Sequence, residues 1–267
     1  MIITLGPACA ISEKGGRRNN EDSIFPIPES SNVSRKLFLV CDGVGGADKG
    51  EVASALACES FNTYFNTFLE GDPSESFIKK AIQYVEVRFD DYVINHPEAH
   101  GMATTFTMVF IGRNGVIAAH SGDSRIYQFR DGKIIYRSED HSLVNLLVKS
   151  GKITPEEAIH HPQRNIITQA IQGTHRPTES DVELITDVEP GDYFFMCTDG
   201  TLENLRDSAL ESIFSSNSSA VGIKDEMQYA CNGKTKDNYS FYIIPIQNVQ
   251  ESAGIKQNIL SFFYSLV

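Results

Sequence analysis

The chain has 267 residues, of which 41% are hydrophobic, and this is enough to form a sizeable core in one large domain or two small ones. Its formal net charge of −12 argues against a nucleic-acid-binding surface, because phosphate backbones are bound by clustered lysines and arginines. Its five cysteines are odd in number and widely spaced, which argues against a disulfide framework or a zinc site and favours reduced thiols in the cytoplasm.

The first predicted strand covers residues 2–9, and a polar loop from Ser12 to Asp22 follows it. This loop carries a dense group of charges, including Arg17 and Asp22, although a solvated turn would look the same. The first residues lack the basic region of a signal peptide, and no apolar run in the chain reaches the length of about 18 residues that a membrane span needs. We therefore expect no membrane span.

An apolar run, Leu37–Cys41, predicts a strand that is buried on both faces and ends at Asp42. Three glycines follow the acid closely, Gly43, Gly45 and Gly46. A carboxylate held at such a strand end can coordinate a metal. An Asp-Gly pair is also a common turn, however, and taken alone the pair favours the turn.

Two helices are predicted next. Apolar residues repeat at helical spacing from Gly50 to Leu69, and a second helix begins after Ser74, a good capping residue, and ends before Pro97. Two long helices in succession predict one outer layer of a layered fold.

The pattern then changes to strands connected by short turns. Alternating residues after Met102, a strand at Val116–His120, and a hairpin that joins Ile126–Phe129 to Ile134–Tyr136 predict an antiparallel sheet. Residues 142–173 interrupt this pattern with two short helical segments and predict a surface flap.

Strands are predicted again at Val182–Ile185 and at Tyr193–Cys197, and the second of these leads into Asp199. Helices at 203–214 and 220–231 follow, and the last strand is Phe241–Ile246, just after Asp237. Residues 247–267 form a C-terminal extension, for which we consider a helix.

Four aspartates lie beside predicted strands or in the charged loop: Asp22, Asp42, Asp199 and Asp237. If the sheets bring them to one edge, their repulsion requires cations, so either they bind metal or they do not meet. Carboxylate oxygens suit Mg²⁺ or Mn²⁺, and one shared carboxylate can hold two such ions about 3.5–4 Å apart and activate a water for attack on a phosphoryl group. Arg17 would clamp the remaining phosphate oxygens.

Taken in order, a series of short motifs matches a known family. The motifs are Arg17-x-x-Asn20-Glu21-Asp22, Asp42-Gly43-x-Gly45-Gly46, Gly50-Glu51-x-Ala53-Ser54, Gly101-Met102-x-Thr104-Thr105, Gly122-Asp123-Ser124-Arg125, Asp140-His141-Ser142, His161-Pro162-Gln163-Arg164-Asn165, Thr198-Asp199-Gly200 and Asp237-Asn238. Each motif is weak alone, but the ordered set resembles the metal-dependent type 2C (PPM-type) Ser/Thr protein phosphatases, especially the compact bacterial ones. The resemblance covers about residues 1–246 and implies that these residues form the catalytic domain.

The resemblance implies an α+β fold, a four-layer αββα sandwich of two antiparallel sheets flanked by helices. It also implies the hydrolysis of phosphoserine and phosphothreonine by a water that bridges two Mn²⁺ or Mg²⁺ ions. By position in the motifs, the resemblance implies that Asp42 is the ligand that bridges the two ions and that the Gly43 carbonyl holds one of them. It implies that Asp199 and Asp237 hold the first ion and that Asp22 holds the second. Arg17 would bind phosphate, and Asp123 would help to hold a third, looser ion.

The sequence departs from the family pattern at two points of the site. Glu203 stands where the family's third-metal site usually has an aspartate, which puts the affinity for a third ion in doubt. Val44 stands where many eukaryotic members have a histidine proposed as general acid. Without it, a metal-bound water must protonate the leaving group, or no group does.

Several other residues that invite a functional interpretation have a plain structural one. His141 and His161 resemble metal ligands, but His161 precedes a proline and is expected to be structural, and His120 is expected to form a hydrogen bond from its strand. Asp140 is expected to cap the helix at Ser142. Cys41 and Cys197 end apolar strands and are expected to be inert buried thiols.

The resulting hypothesis is a cytoplasmic, monomeric phosphatase that acts on phosphorylated proteins made by a Ser/Thr kinase. Two alternatives remain open. A pseudophosphatase would keep the fold only to bind phosphoproteins, and metal-dependent hydrolysis by the purified protein separates it from the enzyme. A phosphoesterase acting on nucleotides or nucleic acid is disfavoured by the charge balance.

Overall fold

The computed structural model describes residues 1–27, 36–44 and 49–251. The strands are β1 (Ile2–Leu5), β2 (Cys9–Glu13), β3 (Asp22–Phe25), β4 (Leu37–Val44), β5 (Ala103–Thr104), β6 (Phe106–Ile111), β7 (Val116–Ser121), β8 (Arg125–Arg130), β9 (Lys133–Arg137), β10 (Asp181–Ile185), β11 (Tyr193–Cys197) and β12 (Tyr239–Gln250). The helices are α1 (Gly50–Phe68), α2 (Glu75–Asn95), α3 (Leu143–Lys149), α4 (Pro155–Ile159), α5 (Asp199–Leu202), α6 (Asp207–Ser216) and α7 (Ala220–Cys231).

The strands form two antiparallel sheets. In the first sheet the order is β1-β12-β11-β8-β9, and β2 also pairs with β12. In the second sheet the order is β10-β7-β6-β4-β3, and β5 also pairs with β4. The long strand β12 and the strand β4 therefore lie beside several partners; β4 carries Asp42 and Gly43 of the predicted metal site, and β12 follows Asp237.

Side chains along β4 explain why the second sheet is covered on both faces. Successive residues of a strand point to opposite faces. Accordingly, Leu39 and Cys41 pack into the core beneath α1 and α2. Phe38 and Val40 pack into a different core that also contains residues of the first sheet, such as Phe194 from β11. The second sheet thus lies between a helical layer and the first sheet.

The first sheet is covered in the same way on its outer face. Phe195 and Cys197 of β11 pack with residues of α6 and α7, including Phe214 and Met227. This completes a helix–sheet–sheet–helix order. The predicted four-layer αββα sandwich is confirmed.

The boundaries of the two long helices also agree with the sequence interpretation. Ser74 caps α2, since its hydroxyl accepts a hydrogen bond from the Phe77 amide at 3.2 Å. Helix α2 ends at Asn95, two residues before Pro97, and α1 ends at Phe68, one residue before the predicted end. The helical spacing of apolar residues therefore located α1, and the Ser74 cap together with Pro97 located α2.

Three predicted boundaries are wrong. The predicted strand 2–9 is two strands, because β1 pairs with the far end of β12 and β2 pairs with its near end, and Pro7, which has no N–H group, lies between them. Strand β4 continues through Asp42 to Val44, because β5 pairs with Gly43 and Val44. The helix predicted at 203–214 begins instead at Asp207, after the short helix α5.

The last strand also extends beyond its predicted end. It reaches Gln250, where it pairs with Ile2 of β1, so the folded domain continues at least four residues beyond residue 246. The rest of the predicted C-terminal extension, residues 252–267, lies outside the described residues. Within the described part of the chain, no helix combines the length and the apolar character needed to cross a bilayer.

The segment predicted as a flap, 142–173, contains the two predicted short helices, which are α3 and α4. Its two ends approach each other through a bridge between Ser142 and Ile167, and Ile171 is bridged to Thr104 beside β4. The segment therefore begins and ends close to the strands that carry the aspartates.

Candidate metal centre

The fold brings the four predicted aspartates together from both sheets. In the second sheet, antiparallel pairing of β3 with β4 places Asp22 directly opposite Asp42. In the first sheet, β11 pairs antiparallel with β12, so that Asp199, which follows β11, lies near Asp237, which precedes β12. The condition stated from the sequence, that these distant acids meet at one edge, is thus met.

Hydrogen bonds join the two sheets at this edge. The Thr198 hydroxyl donates to Oδ2 of Asp22 at 3.0 Å and accepts from the Ser240 amide at 3.0 Å. The other carboxylate oxygen of Asp22, Oδ1, is buried and has no hydrogen-bond partner. A buried carboxylate oxygen without a donor is costly unless a cation reaches it.

The electrostatics of the cluster reflect this crowding. Burial, followed by the charges of Asp199 and Asp237, raises the pKa of Asp22 to about 7, although hydrogen bonds from Ser240 and Thr198 lower it. Burial and the charge of Asp237 raise the pKa of Asp199 to about 6. Without cations, the protein therefore favours protonated carboxyl groups at this edge.

Asp42 occupies the centre of the cluster. Its pKa is raised well above the ordinary value, first by burial and then by the charges of four other aspartates: Asp22, Asp199, Asp123 and Asp237. Two threonines fix its backbone. The Asp42 amide donates to the Thr105 hydroxyl at 3.1 Å, and the Thr104 hydroxyl donates to the Asp42 carbonyl at 2.8 Å.

Gly43 is required by a close approach of two backbone segments. A Cβ atom at this position would lie 2.1 Å from the carbonyl oxygen of Gly50, so any side chain would separate β4 from the start of α1. The Gly43 amide donates to the Glu21 carbonyl at 3.0 Å. Gly45 and Gly46 lie outside the described residues.

The Arg17 guanidinium lies at the same site. Its Nη2 is 2.6 Å from Oδ2 of Asp237, and the Arg17 side chain is 58% exposed. The hydrogen bond to Asp237 is the main cause that raises the pKa of Arg17. The arginine is therefore held at the cluster by one edge of its planar group, while much of the side chain stays accessible from solvent.

The two residues predicted for a third ion are both close to Asp199. Burial and the charges of Asp199 and Asp140 raise the pKa of Asp123 to about 8. Glu203 contributes to the raised pKa of Asp199, and its Oε2 accepts a hydrogen bond from the Lys236 amide at 2.8 Å. The longer side chain of Glu203 is thus used in part to hold the loop before Asp237.

Thr198 and Asn238 both support the site, although the sequence predicted no role for either residue. The buried Asn238 side chain accepts from the Glu21 amide and donates to the carbonyl oxygens of Lys14 and Asn19. Each residue directly adjoins a predicted metal ligand, which was the signal available in the sequence. Their partners lie far away along the chain, so the contacts themselves were not predictable.

A second group of possible ligands comes from His120, His141 and Asp181. His120 Nε2 is bonded to the Glu139 carbonyl at 2.8 Å, which confirms its expected hydrogen-bonding role. His141 Nδ1 accepts from the Gly122 amide at 3.3 Å, and the two imidazole rings stack with centroids 4.7 Å apart. These contacts support the loop that leads to Asp123.

The expectation for Asp140, in the neighbouring loop, is wrong. Asp140 does not cap the helix α3. It forms a two-pronged ion pair with Arg125 at 2.6 and 2.7 Å, and Ser142 is the cap.

Cys41 and Cys197 are buried thiols whose pKa is raised, which disfavours the nucleophilic thiolate form. Hydrogen bonding with Cys58 is the main cause for Cys41, and burial is the main cause for Cys197.

Comparisons with known proteins identify the family and the fold. A family model described as protein phosphatase 2C matches residues 15–228. Protein phosphatase PhpP of Streptococcus pneumoniae is 31% identical over 235 residues, which cover 85% of this chain and 92% of PhpP. The crystal structure of the Mycobacterium tuberculosis serine/threonine phosphatase PstP/Ppp aligns with a TM-score of 0.79 at 28% identity and covers 92% of this chain and 100% of that chain. A structure of the PstP catalytic domain in complex with two manganese ions aligns with a TM-score of 0.76 at 27% identity and covers 92% and 100% of the two chains.

Proposed function

This chain belongs to the protein phosphatase 2C family, and from that premise we propose which of its residues hold the metal ions and which bind the phosphate. It is a metal-dependent protein-serine/threonine phosphatase, and its cofactor is Mn²⁺ or Mg²⁺. The pseudophosphatase alternative has no support.

The donor set fits hard divalent cations. The groups that meet at the sheet edge are carboxylates and backbone carbonyls, which are the ligands that Mg²⁺ and Mn²⁺ prefer. The observation that carries the proposal is the buried Asp22 Oδ1, which has no hydrogen-bond partner while the pKa of Asp22 is raised to about 7. A cation would supply the missing partner and offset the repulsion among the acids.

The positions of the acids support a division of roles. Asp42, whose charge interacts with the other aspartates, is proposed as the ligand shared by two ions, and the Gly43 carbonyl holds one of them. Asp22 serves the second ion, and Asp199 and Asp237 serve the first. Asp123 and Glu203 are proposed for a third ion. Two such ions supply the positive charge that stabilises a phosphoryl oxygen and activates water.

Arg17 is proposed to bind and orient the phosphate group of the substrate. The guanidinium is anchored by Asp237 at 2.6 Å, which limits the orientations that it can adopt. A planar group held in this way binds two phosphate oxygens with little further loss of entropy. Its task is to orient the phosphorus centre toward the metal-binding acids.

Metal stoichiometry tests the assignment directly. Calorimetric titration of the EDTA-treated protein with Mn²⁺ is expected to give two ions, or three if Asp123 and Glu203 also bind. The Asp22→Asn variant is expected to lose one of the first two. Unchanged stoichiometry and affinity in Asp22→Asn would exclude Asp22 as a ligand.

The Thr198 hydroxyl is expected to contribute to metal affinity through Asp22. Thr198→Val keeps the shape of the side chain but removes the donor that lies 3.0 Å from Asp22 Oδ2. The Mn²⁺ dissociation constant is expected to rise about tenfold, since removing the hydrogen-bond partner of a ligand typically costs about 10–100-fold in affinity. Calorimetric titration measures this.

Thr201→Val is the matched control, because the equally buried Thr201 hydroxyl donates to the Ser240 carbonyl and not to an acid. Equal losses of affinity in the two variants would show that the Thr198 effect comes from general destabilisation.

We further propose that the substrates are phosphorylated proteins made by a Ser/Thr kinase and that the enzyme is a monomer in the cytoplasm. The cytoplasmic location is supported by the free thiols of Cys41 and Cys58, whose sulfur atoms lie 3.6 Å apart without a bond. The exposed Arg17 side chain at the sheet edge suits a phosphorylated side chain presented by another protein.

A further inference from the structure

We propose that Asn238 is a positioning residue that holds the Arg17 loop, residues 14–21, in the conformation that binds phosphate. The inference goes beyond the metal site, and it rests on the proposed role of Arg17. It is carried by hydrogen bonds that connect one buried amide side chain to both ends of this loop.

All the polar atoms of the Asn238 side chain are used on the loop. Its Nδ2 donates to the carbonyl oxygens of Lys14 at 2.8 Å and of Asn19 at 2.7 Å. Its Oδ1 accepts from the amide of Glu21 at 2.9 Å. Asn238 is only 6% exposed, so little water can replace these bonds. The three contacted residues lie on both sides of Arg17.

The Lys14 carbonyl links this anchor to Arg17 itself. It also accepts a hydrogen bond from the Arg17 amide at 3.1 Å, which closes the turn that presents the guanidinium. The side chain of Arg17 then reaches Asp237, the residue next to Asn238. Residues 237 and 238 thus fix the charged group and the backbone of the same arginine.

The Arg17 loop packs closely against the backbone of Asp237. A Cβ atom at Gly15, which has a φ of +54°, would lie 1.9 Å from the Asp237 carbonyl oxygen. The loop therefore lies directly on the backbone that precedes Asn238. When the amide is removed, three backbone groups each lose one hydrogen bond, and we expect the loop to shift or to sample several conformations.

Asp22 should be much less affected, because other contacts hold it. The Glu21 carbonyl accepts from the Gly43 amide at 3.0 Å, and the Asp22 carboxylate accepts from Thr198. Pairing of β3 with β4 fixes its backbone as well. The inference therefore predicts a loss in phosphate binding that is separate from any loss in metal binding.

The test measures inhibition of Mn²⁺-dependent p-nitrophenyl phosphate hydrolysis by inorganic phosphate, together with Mn²⁺ affinity by calorimetry. Asn238→Ala is expected to raise the phosphate inhibition constant about tenfold and to change the Mn²⁺ dissociation constant by less than about threefold. If Asn238→Ala does not fold, Asn238→Asp has nearly the same size and keeps the acceptor for Glu21, but it replaces the two donors with a carboxylate oxygen and adds one negative charge, so Asn204→Asp is its control. The control is Asn204→Ala, which removes an exposed amide that donates to the hydroxyl of the buried Thr235 at 3.0 Å.

A double-mutant cycle with Arg17→Ala separates this inference from the proposed function. If Asn238 acts through Arg17, Asn238→Ala adds less than about twofold to the inhibition constant in the Arg17→Ala background. A full additional tenfold effect, or a parallel loss of Mn²⁺ affinity, would overturn the positioning role. If Arg17→Ala alone leaves the constant unchanged, the proposed role of Arg17 fails, and this inference fails with it.

Hydrogen exchange of the EDTA-treated protein supplies a readout that does not depend on activity. Amides of residues 14–21 are expected to exchange faster in Asn238→Ala than in the wild-type protein, and Asn204→Ala is expected to leave them unchanged. Unchanged protection of these amides in Asn238→Ala would overturn the proposal.

Discussion

Asp42→Asn is expected to lower kcat for Mn²⁺-dependent hydrolysis of p-nitrophenyl phosphate by at least about 10³-fold, since the catalytic charge at this site depends on the ions that Asp42 holds. The substitution keeps the size of the side chain and removes one negative charge. The pKa of Asp42 is raised by burial and by the charges of four other aspartates, which supports its assignment as the shared ligand. Steady-state kinetics over a range of Mn²⁺ concentrations measures the effect.

Asp91→Asn on α2 is a suitable control, because Asp91 is exposed and lies outside the aspartate cluster. It should leave kcat unchanged. Near-normal turnover by Asp42→Asn with an unchanged dependence on Mn²⁺ concentration would exclude the shared-ligand role, whatever the agreement of the motifs. A normal kcat that is reached only at much higher Mn²⁺ would assign Asp42 to metal affinity alone.

Much of the sandwich could be predicted because its signals are local. The continuous apolar runs of β4 and β11, and the capping of α2 by Ser74, depend on residues that are neighbours in sequence. The outer layers and the approximate ends of the strands follow from such patterns. Asp42, Asp199 and Asp237 were found because each lies beside an apolar run, and Asp22 was found in the charged loop.

Strand partners and backbone anchors could not be predicted in this way, because they depend on distant residues. The split of residues 2–9 into β1 and β2 is set by β12, which lies more than 200 residues away and is long enough to pair with both. Likewise, Asp22 lies in a stretch that resembles a polar loop, and only pairing with β4 places it opposite Asp42. Asn238 contacts Lys14, which is 224 positions away.

The same crowded carboxylates predict an unusual pH dependence of stability in the metal-free protein. The pKa values of Asp22 and Asp123 in the folded protein are about 7 and about 8, above the ordinary value of 3.8. Between pH 6.5 and 8 the folded state therefore binds more protons than the unfolded state, so the free energy of unfolding falls as the pH rises. Each such proton is worth about 1.4 kcal/mol per pH unit.

The range from pH 6.5 to pH 8 avoids most of an opposing contribution of His120 to the pH dependence of stability. Burial lowers the pKa of His120, and its contribution to stability is lost as the pH falls below the ordinary histidine value. Above pH 6.5 that contribution is nearly constant, and the aspartates dominate the slope. With EDTA, Tm is expected to fall by several degrees from pH 6.5 to pH 8, on the scale of about 2–4 °C per kcal/mol for a domain of this size.

Mn²⁺ should reverse this trend. The ions bind deprotonated carboxylates, so the increase in Tm that they produce is expected to be larger at pH 8 than at pH 6.5. Asp42→Asn removes one of the interacting charges, and the metal-free variant is therefore expected to have a flatter pH profile and a higher Tm than the wild-type protein at pH 8. A Tm that is constant or rises with pH in EDTA would mean that the aspartates do not repel one another as their positions require, and the proposed metal site would then lose its physical basis.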